Sequence, residues 1–169
     1  MILIFNGRDK FISMMDRFTE HGIDVVQDSL GYQCSSPIEA QAVIDSFTID
    51  DARDQICQMI LEKGKALRDE KLQSVSPGEM ASWYMKLAEA RSFSKTGNAE
   101  DAPALALEAQ VRGVSLADLC ALVDANAQAL SSLEAVIAGN EGRHKDAVRL
   151  LQSFDAVAEY DYSTGWPAI

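Results

Sequence analysis

Apolar and polar positions change period along this chain. The first residues, "MILIFN", are an apolar run of strand length. In "RDKFISMMDRFTEHG" the spacing of Phe11, Ile12, Met14, Met15 and Phe18 is helical, and Gly22 is placed to stop the helix. The short β-rich runs "IDVVQDS" and "LGYQCS" flank Ser29. Residues 1–35 therefore predict a small β-α-β-β unit, which is too little to cover both faces of its own sheet.

From Ser36 onward the signals are those of helices. In "SPIE", Ser36 stands as cap, Pro37 at the first helical position and Glu39 at the third, the pattern of a capping box. "TIDD" offers Thr48 and Asp51 for the next helix, which runs to about Leu72 with Ile49, Ala52, Ile56, Met59, Ile60 and Leu67 mostly along one apolar stripe. "SPGE" repeats the device at Ser76 and Glu79, and "SLAD" does so at Ser115 and Asp118. Between them lie a helix through Trp83, Tyr84 and Leu87, a polar loop at residues 98–103, and the short segment "ALALEAQVRG". Trp83 and Tyr84 read as core aromatics. A long stripe through Leu116, Leu119, Cys120, Val123, Ala127 and Leu130 continues to Ile137, where Gly139 and Gly142 predict a kink before the pattern resumes as far as Val157. Such a stripe is a core face or a seam with a second copy, since both have the same period. The fold class is mainly α: a small N-terminal β-α-β-β unit (1–47), helical hairpins in a bundle (48–157), and an irregular tail (158–169).

Composition narrows the function classes. The 169 residues are 47% hydrophobic, enough for a core, and carry a formal net charge of −11. Acidic side chains outnumber basic ones in every region, so no footprint for nucleic acid or an anionic membrane is present. No apolar window approaches the roughly 18 residues of a membrane span. The start has no basic stretch of a signal peptide, so secretion is not expected. Cys34, Cys57 and Cys120 are far apart and without a CxxC pair, which argues against a disulfide framework and a zinc site.

No catalytic constellation stands out. His144 in "GRHKD" has only adjacent charges and reads as part of a solvated turn, while His21 sits at a helix C-terminus favoured by the dipole. Adjacent acids such as Asp50 and Asp51 point to different faces and form no dyad. No catalytic, cofactor-binding or metal-binding residue is assigned, and no small-molecule substrate is expected.

The ending "AEYDYSTGWPAI" cannot continue a helix past Gly165 and Pro167. Tyr160, Tyr162 and Trp166 are the residue types that dominate interface hot spots. Either they fold back on the chain's own helices or, with Pro167, they anchor the tail on a neighbouring chain. Likewise Ile2, Ile4 and Phe5 either lie in an internal sheet or add a strand to another chain's edge.

Across roughly residues 70–167, the ordered set "SVSPGEMASWYMKLAEARSF", "NAEDAPAL", "ALEAQVRGVSLADL" and "LEAVIAGNEGRHKDAV", closed by "VAEYDYSTGWP", resembles a module of bacteriophage and prophage tail-associated proteins. The resemblance implies a structural part of a phage tail, an adaptor near the baseplate or tail fibres. Its implied partners are other tail proteins and further copies of itself. The place implied is the virion tail, after synthesis in the bacterial cytoplasm. It supplies no catalytic residues, so no enzyme is expected. The alternative is a tail or fibre assembly chaperone that leaves before the particle is complete.

Overall fold

The computed structural model describes residues 3–28, 31–34 and 36–168. Within them the chain is mainly α: seven α-helices, two 3-10 turns and one two-stranded hairpin. Contacts divide it into two units, one of Met1–Lys65 with Gly139–Trp166, the other of Ala66–Ala138 with Pro167–Ile169. The division differs from the boundaries expected at 47 and 157, because residues 48–65 and 139–157 belong with the N-terminal segment.

In the first unit, Leu3–Phe5 form no strand, contrary to the sequence expectation. Their alternation survives, with Leu3 and Phe5 buried and Ile4 exposed. The side chain of Gln41 takes the place of a neighbouring strand. Its carboxamide accepts from the Ile4 amide and donates to the Ile4 carbonyl, both at 3.0 Å. Asn6 (φ 51°) and Gly7 (φ 83°) then turn the chain through the left-handed region, which ends any extended run. α1 (Ile12–Glu20) buries Met14 and Phe18, four residues apart on one face. It closes where the Ile23 amide reaches the Phe18 carbonyl at 2.8 Å.

β1 (Val25–Asp28) and β2 (Gly31–Cys34) pair antiparallel, with Val25 opposite Cys34 and Asp28 opposite Gly31. α2 (Pro37–Ser46) starts behind Ser36 as predicted, but the Ser36 side chain makes no capping bond. α3 (Ile49–Leu72) does have its reciprocal box. The Thr48 amide and hydroxyl donate to one Asp51 carboxylate oxygen at 2.7 Å, and the Asp51 amide returns to the Thr48 hydroxyl at 3.2 Å.

The core of this unit joins Phe11, Met14, Ile44, Phe47, Ile60, Val148 and Val157. Phe47 lies between Phe11 (5.7 Å) and Phe154 (6.0 Å), and the Arg8 guanidinium covers the outer face of Phe154 at 4.6 Å. Arg53 forks onto the Leu151 carbonyl, holding a cation against a helix end whose last carbonyls lack helical partners.

The second unit holds α4 (Pro77–Thr96), α5 (Pro103–Arg112) and the first part of α6 (Leu116–Leu150). Ser76 and Ser115 cap as predicted: each hydroxyl accepts an amide three residues on, at 3.1 and 3.0 Å. α5 has no side-chain cap of its own. Glu89 of α4 supplies one, its carboxylate accepting the Leu105 amide at 3.0 Å. The core here is small, with Ala90, Ala102, Leu105, Ala109, Leu119 and Cys120 buried and Phe93, Leu116 and Val123 packed beside them. Alanines at the crossing let α4 and α5 approach closely, and a Lys86–Glu108 ion pair of 2.8 Å spans the two.

α6 runs as one helix through Gly139 and Gly142. The break falls at residues 151–153, where the Ser153 hydroxyl caps α7 (Phe154–Ala158). Among the described residues no helix is long and apolar enough to cross a membrane.

Candidate interaction site

The tail is seated on the first unit. Residues 160–168 form no helix or strand, so their backbone groups need other partners. Tyr160, Tyr162 and Trp166 pack half-buried against that unit's core, and Pro167 is half-buried. Of the two readings of the aromatic ending, the fold-back onto the chain's own helices is the arrangement seen. At the other terminus, Ile2 lies outside the described residues. Ile4 is exposed, with its backbone taken by Gln41. Phe5 is a core residue, edge-on to Phe18 at 6.0 Å and 4.4 Å from Tyr32.

The seat is organised by His144, which the sequence reading placed in a solvated turn. Instead it is 2% exposed, the one buried polar side chain among the described residues. The signal was present but unread, because His144 lies seven residues from Ile137 and four from Val148 on the buried stripe of α6. Both ring nitrogens are used. Nε2 is 2.9 Å from the Thr164 carbonyl and 3.2 Å from the Arg143 guanidinium. Nδ1 is 2.8 Å from the Tyr160 hydroxyl. The imidazole face stacks on the Trp166 indole, with centroids 5.8 Å apart and planes at 16°.

Arg143 donates to the Thr164 carbonyl at 3.0 Å and to Asn140 Oδ1 at 2.8 Å. Lys63 lies over the Trp166 ring at 5.8 Å. Hydrogen bonds from the Ser163 side chain and amide hold the Asp161 carboxyl below the ordinary aspartate value. With no free ring nitrogen and no nucleophile aimed at it, His144 reads chemically as a recognition group for the tail. Among the described residues no three His, Cys, Asp or Glu side chains gather to hold a metal ion.

The second unit carries a different feature. Tyr84, expected in the core, is 84% exposed on α4, and Trp83 is half-buried. The α4 period places Ala90 inward, so Tyr84, six residues earlier, falls about 120° away around the helix, off the buried face. Met80 and Met85 are also exposed. On α5, Ala104, Leu107 (63% exposed) and Val111 (79%) recur at three and four residues, away from the buried Leu105 and Ala109. α5 thus shows apolar side chains on two faces, only one of which is covered. Between the end of α3 and α6, Leu72, Leu130, Leu133 and Ile137 line a groove flanked by the Arg68–Glu134 ion pair of 2.7 Å.

No protein-family model matches this chain, and neither a curated protein nor a solved structure does. Function is therefore argued from the two features themselves. One is an aromatic tail held by a tailored polar seat, and the other is a helical pair with apolar side chains turned outward.

Proposed function

We propose that this chain is a structural component of a phage tail, an adaptor near the baseplate or tail fibres that works by protein–protein assembly. The observation that carries the assembly reading is the exposure of large apolar side chains, Tyr84 on α4 and Leu107 and Val111 on α5, in a unit whose main core cluster has only six buried residues. A unit with so little interior gains stability by covering such side chains with a partner. The phage-tail setting rests on the sequence elements between residues 70 and 167 that resemble tail-associated proteins.

The test is mass spectrometry of purified particles from the phage or prophage that encodes the chain. The adaptor reading expects it there at a stoichiometric level in multiple copies. Abundance in the infected cell with absence from particles would replace the adaptor by an assembly chaperone.

A further inference from the structure

Asn6 is the one asparagine of this chain that a glycine follows; Asn98, Asn126 and Asn140 precede alanine, alanine and glutamate. Asn6 and Gly7 form the corner between Phe5 and Arg8, with φ of 51° and 83° and the Arg8 amide on the Phe5 carbonyl at 3.1 Å. Successive positive φ angles make this a type I′ turn, for which Asn-Gly is the favoured filling. Glycine is also required by space. A Cβ on Gly7 would lie 2.8 Å from Asp155 Oδ1 and 3.3 Å from Phe154 Cβ. The turn therefore demands, after Asn6, the residue whose backbone nitrogen is least shielded by a side chain.

The groups that can react are also unengaged. Asn6 is exposed, and among the described residues neither its carboxamide nor the Gly7 amide has a hydrogen-bond partner. The other asparagines differ. Asn98 Oδ1 accepts the Glu100 amide at 3.1 Å, and Asn140 Oδ1 accepts from Arg143 at 2.8 Å. Asn126 lies inside α6, where the amide that follows it is bonded within the helix.

We propose that Asn6 is a site of spontaneous covalent modification, at which its carboxamide closes onto Gly7 and reopens as aspartate or isoaspartate. The Gly7 backbone nitrogen attacks Asn6 Cγ and gives up its proton. The N–Cγ bond forms, the Cγ–Nδ2 bond breaks, and ammonia leaves behind a cyclic imide. Water then adds to either imide carbonyl. Breaking the new N–Cγ bond gives aspartate, whereas breaking the original peptide bond gives isoaspartate, with the main chain rerouted through the side chain. Water is consumed, ammonia is released, and a negative charge is gained with no oxidant or cofactor.

The two products differ in structure. Aspartate keeps the turn, because it tolerates the left-handed region. Isoaspartate adds a methylene to the main chain at the corner, where that pair of dihedrals no longer exists. The corner positions Arg8, whose Nε donates to the Phe47 carbonyl at 3.0 Å and whose guanidinium lies on the Phe154 ring. It also positions the buried Leu3 and Phe5. Isoaspartate thus loosens Leu3–Phe5 from the first unit's core, irreversibly and in proportion to the age of the chain.

The experiment keeps the full-length chain native in warm, mildly alkaline buffer and follows it by peptide mass mapping, beside a sample in urea. The peptide holding Asn6 is expected to gain the mass of an amide-to-acid conversion and to become a substrate for isoaspartyl methyltransferase, before any change at Asn98, Asn126 or Asn140. Conversion in urea but not in the native sample overturns the proposal, since the turn then protects the pair. Asn6→Gln is expected to lose the gain, and a gain that persists there overturns the assignment. The aged isoaspartate fraction is expected to unfold at lower urea than Asn6→Asp. Equal midpoints overturn the loosening.

Discussion

His144 and Tyr160 illustrate how one buried hydrogen bond binds two distant parts of the sequence. Replacing Tyr160 by Phe keeps the ring but removes the hydroxyl that pairs with Nδ1. A buried polar atom left unpaired costs about 1–3 kcal/mol. Y160F is therefore expected to lower stability by that amount in urea unfolding, whereas Tyr162→Phe, whose role in the tail is through its backbone carbonyl, is expected to change it little. Asp51 gives a prediction in pH. Burial pushes its carboxyl up, but hydrogen bonds from Thr48 and the Arg17 guanidinium at 2.9 Å outweigh that, and the net shift is down. A carboxyl depressed in the folded chain stabilises it in full above the unfolded value and loses that contribution as pH falls through the folded one. Stability is thus expected to fall below about pH 4, and D51N to flatten that acid limb in denaturation midpoints measured from pH 6 to pH 3.

At the scale of elements, caps were the most legible signal in the sequence, yet similar signatures did not all do the same work. Thr48 and Asp51 close a reciprocal box, while Ser36 has the right neighbours and no capping bond. Thr48→Ala is expected to cost about 1 kcal/mol and Ser36→Ala close to nothing, a contrast that thermal melts resolve. The apolar stripes of α1 and α3 predicted most of their buried faces: Met14, Phe18, Ala52, Ile56 and Ile60 point inward, whereas Ile12 and Met59, read on the same stripes, are exposed. The first strand was not legible, because nothing in "MILIFN" says that a glutamine side chain 37 residues on will occupy its hydrogen-bonding edge. Tyr84 was misread since an aromatic in a helix carries no mark of which side will be covered. The outer stripe of α5 supplies a further prediction. Leu107→Lys with Val111→Lys is expected to leave the isolated chain within about 0.5 kcal/mol per site of wild type and to remove it from assembled particles, as an immunoblot of purified particles reports.

For the molecule as a whole, the division into units was the least legible feature. α3 and α6 each contribute to both, the first dividing at Lys65 and the second at Ala138, and neither residue interrupts its helix. Helical period reports which face is buried, not which neighbour buries it. The same ambiguity covered the tail, whose tyrosines and tryptophan lie on the chain's own first unit. The units differ in interior: aromatic and branched side chains from α1, α2, α3, α6 and α7 fill the first, and chiefly alanines and two leucines the second. Backbone amides of α4 and α5 are accordingly expected to exchange with deuterium faster than those buried along α1 and α2.

The three cysteines, so uninformative as a motif, are distributed in a way that matters for covalent labelling. Cys34 and Cys57 belong to the first unit and Cys120 to the core of the second. Burial pushes the thiols of Cys57 and Cys120 up, so little of either is in the nucleophilic thiolate form while its unit stays closed. Alkylation of the buried Cys120 is then a clock for opening of the second unit, read from the rate at which a maleimide mass accumulates there, without any engineered probe.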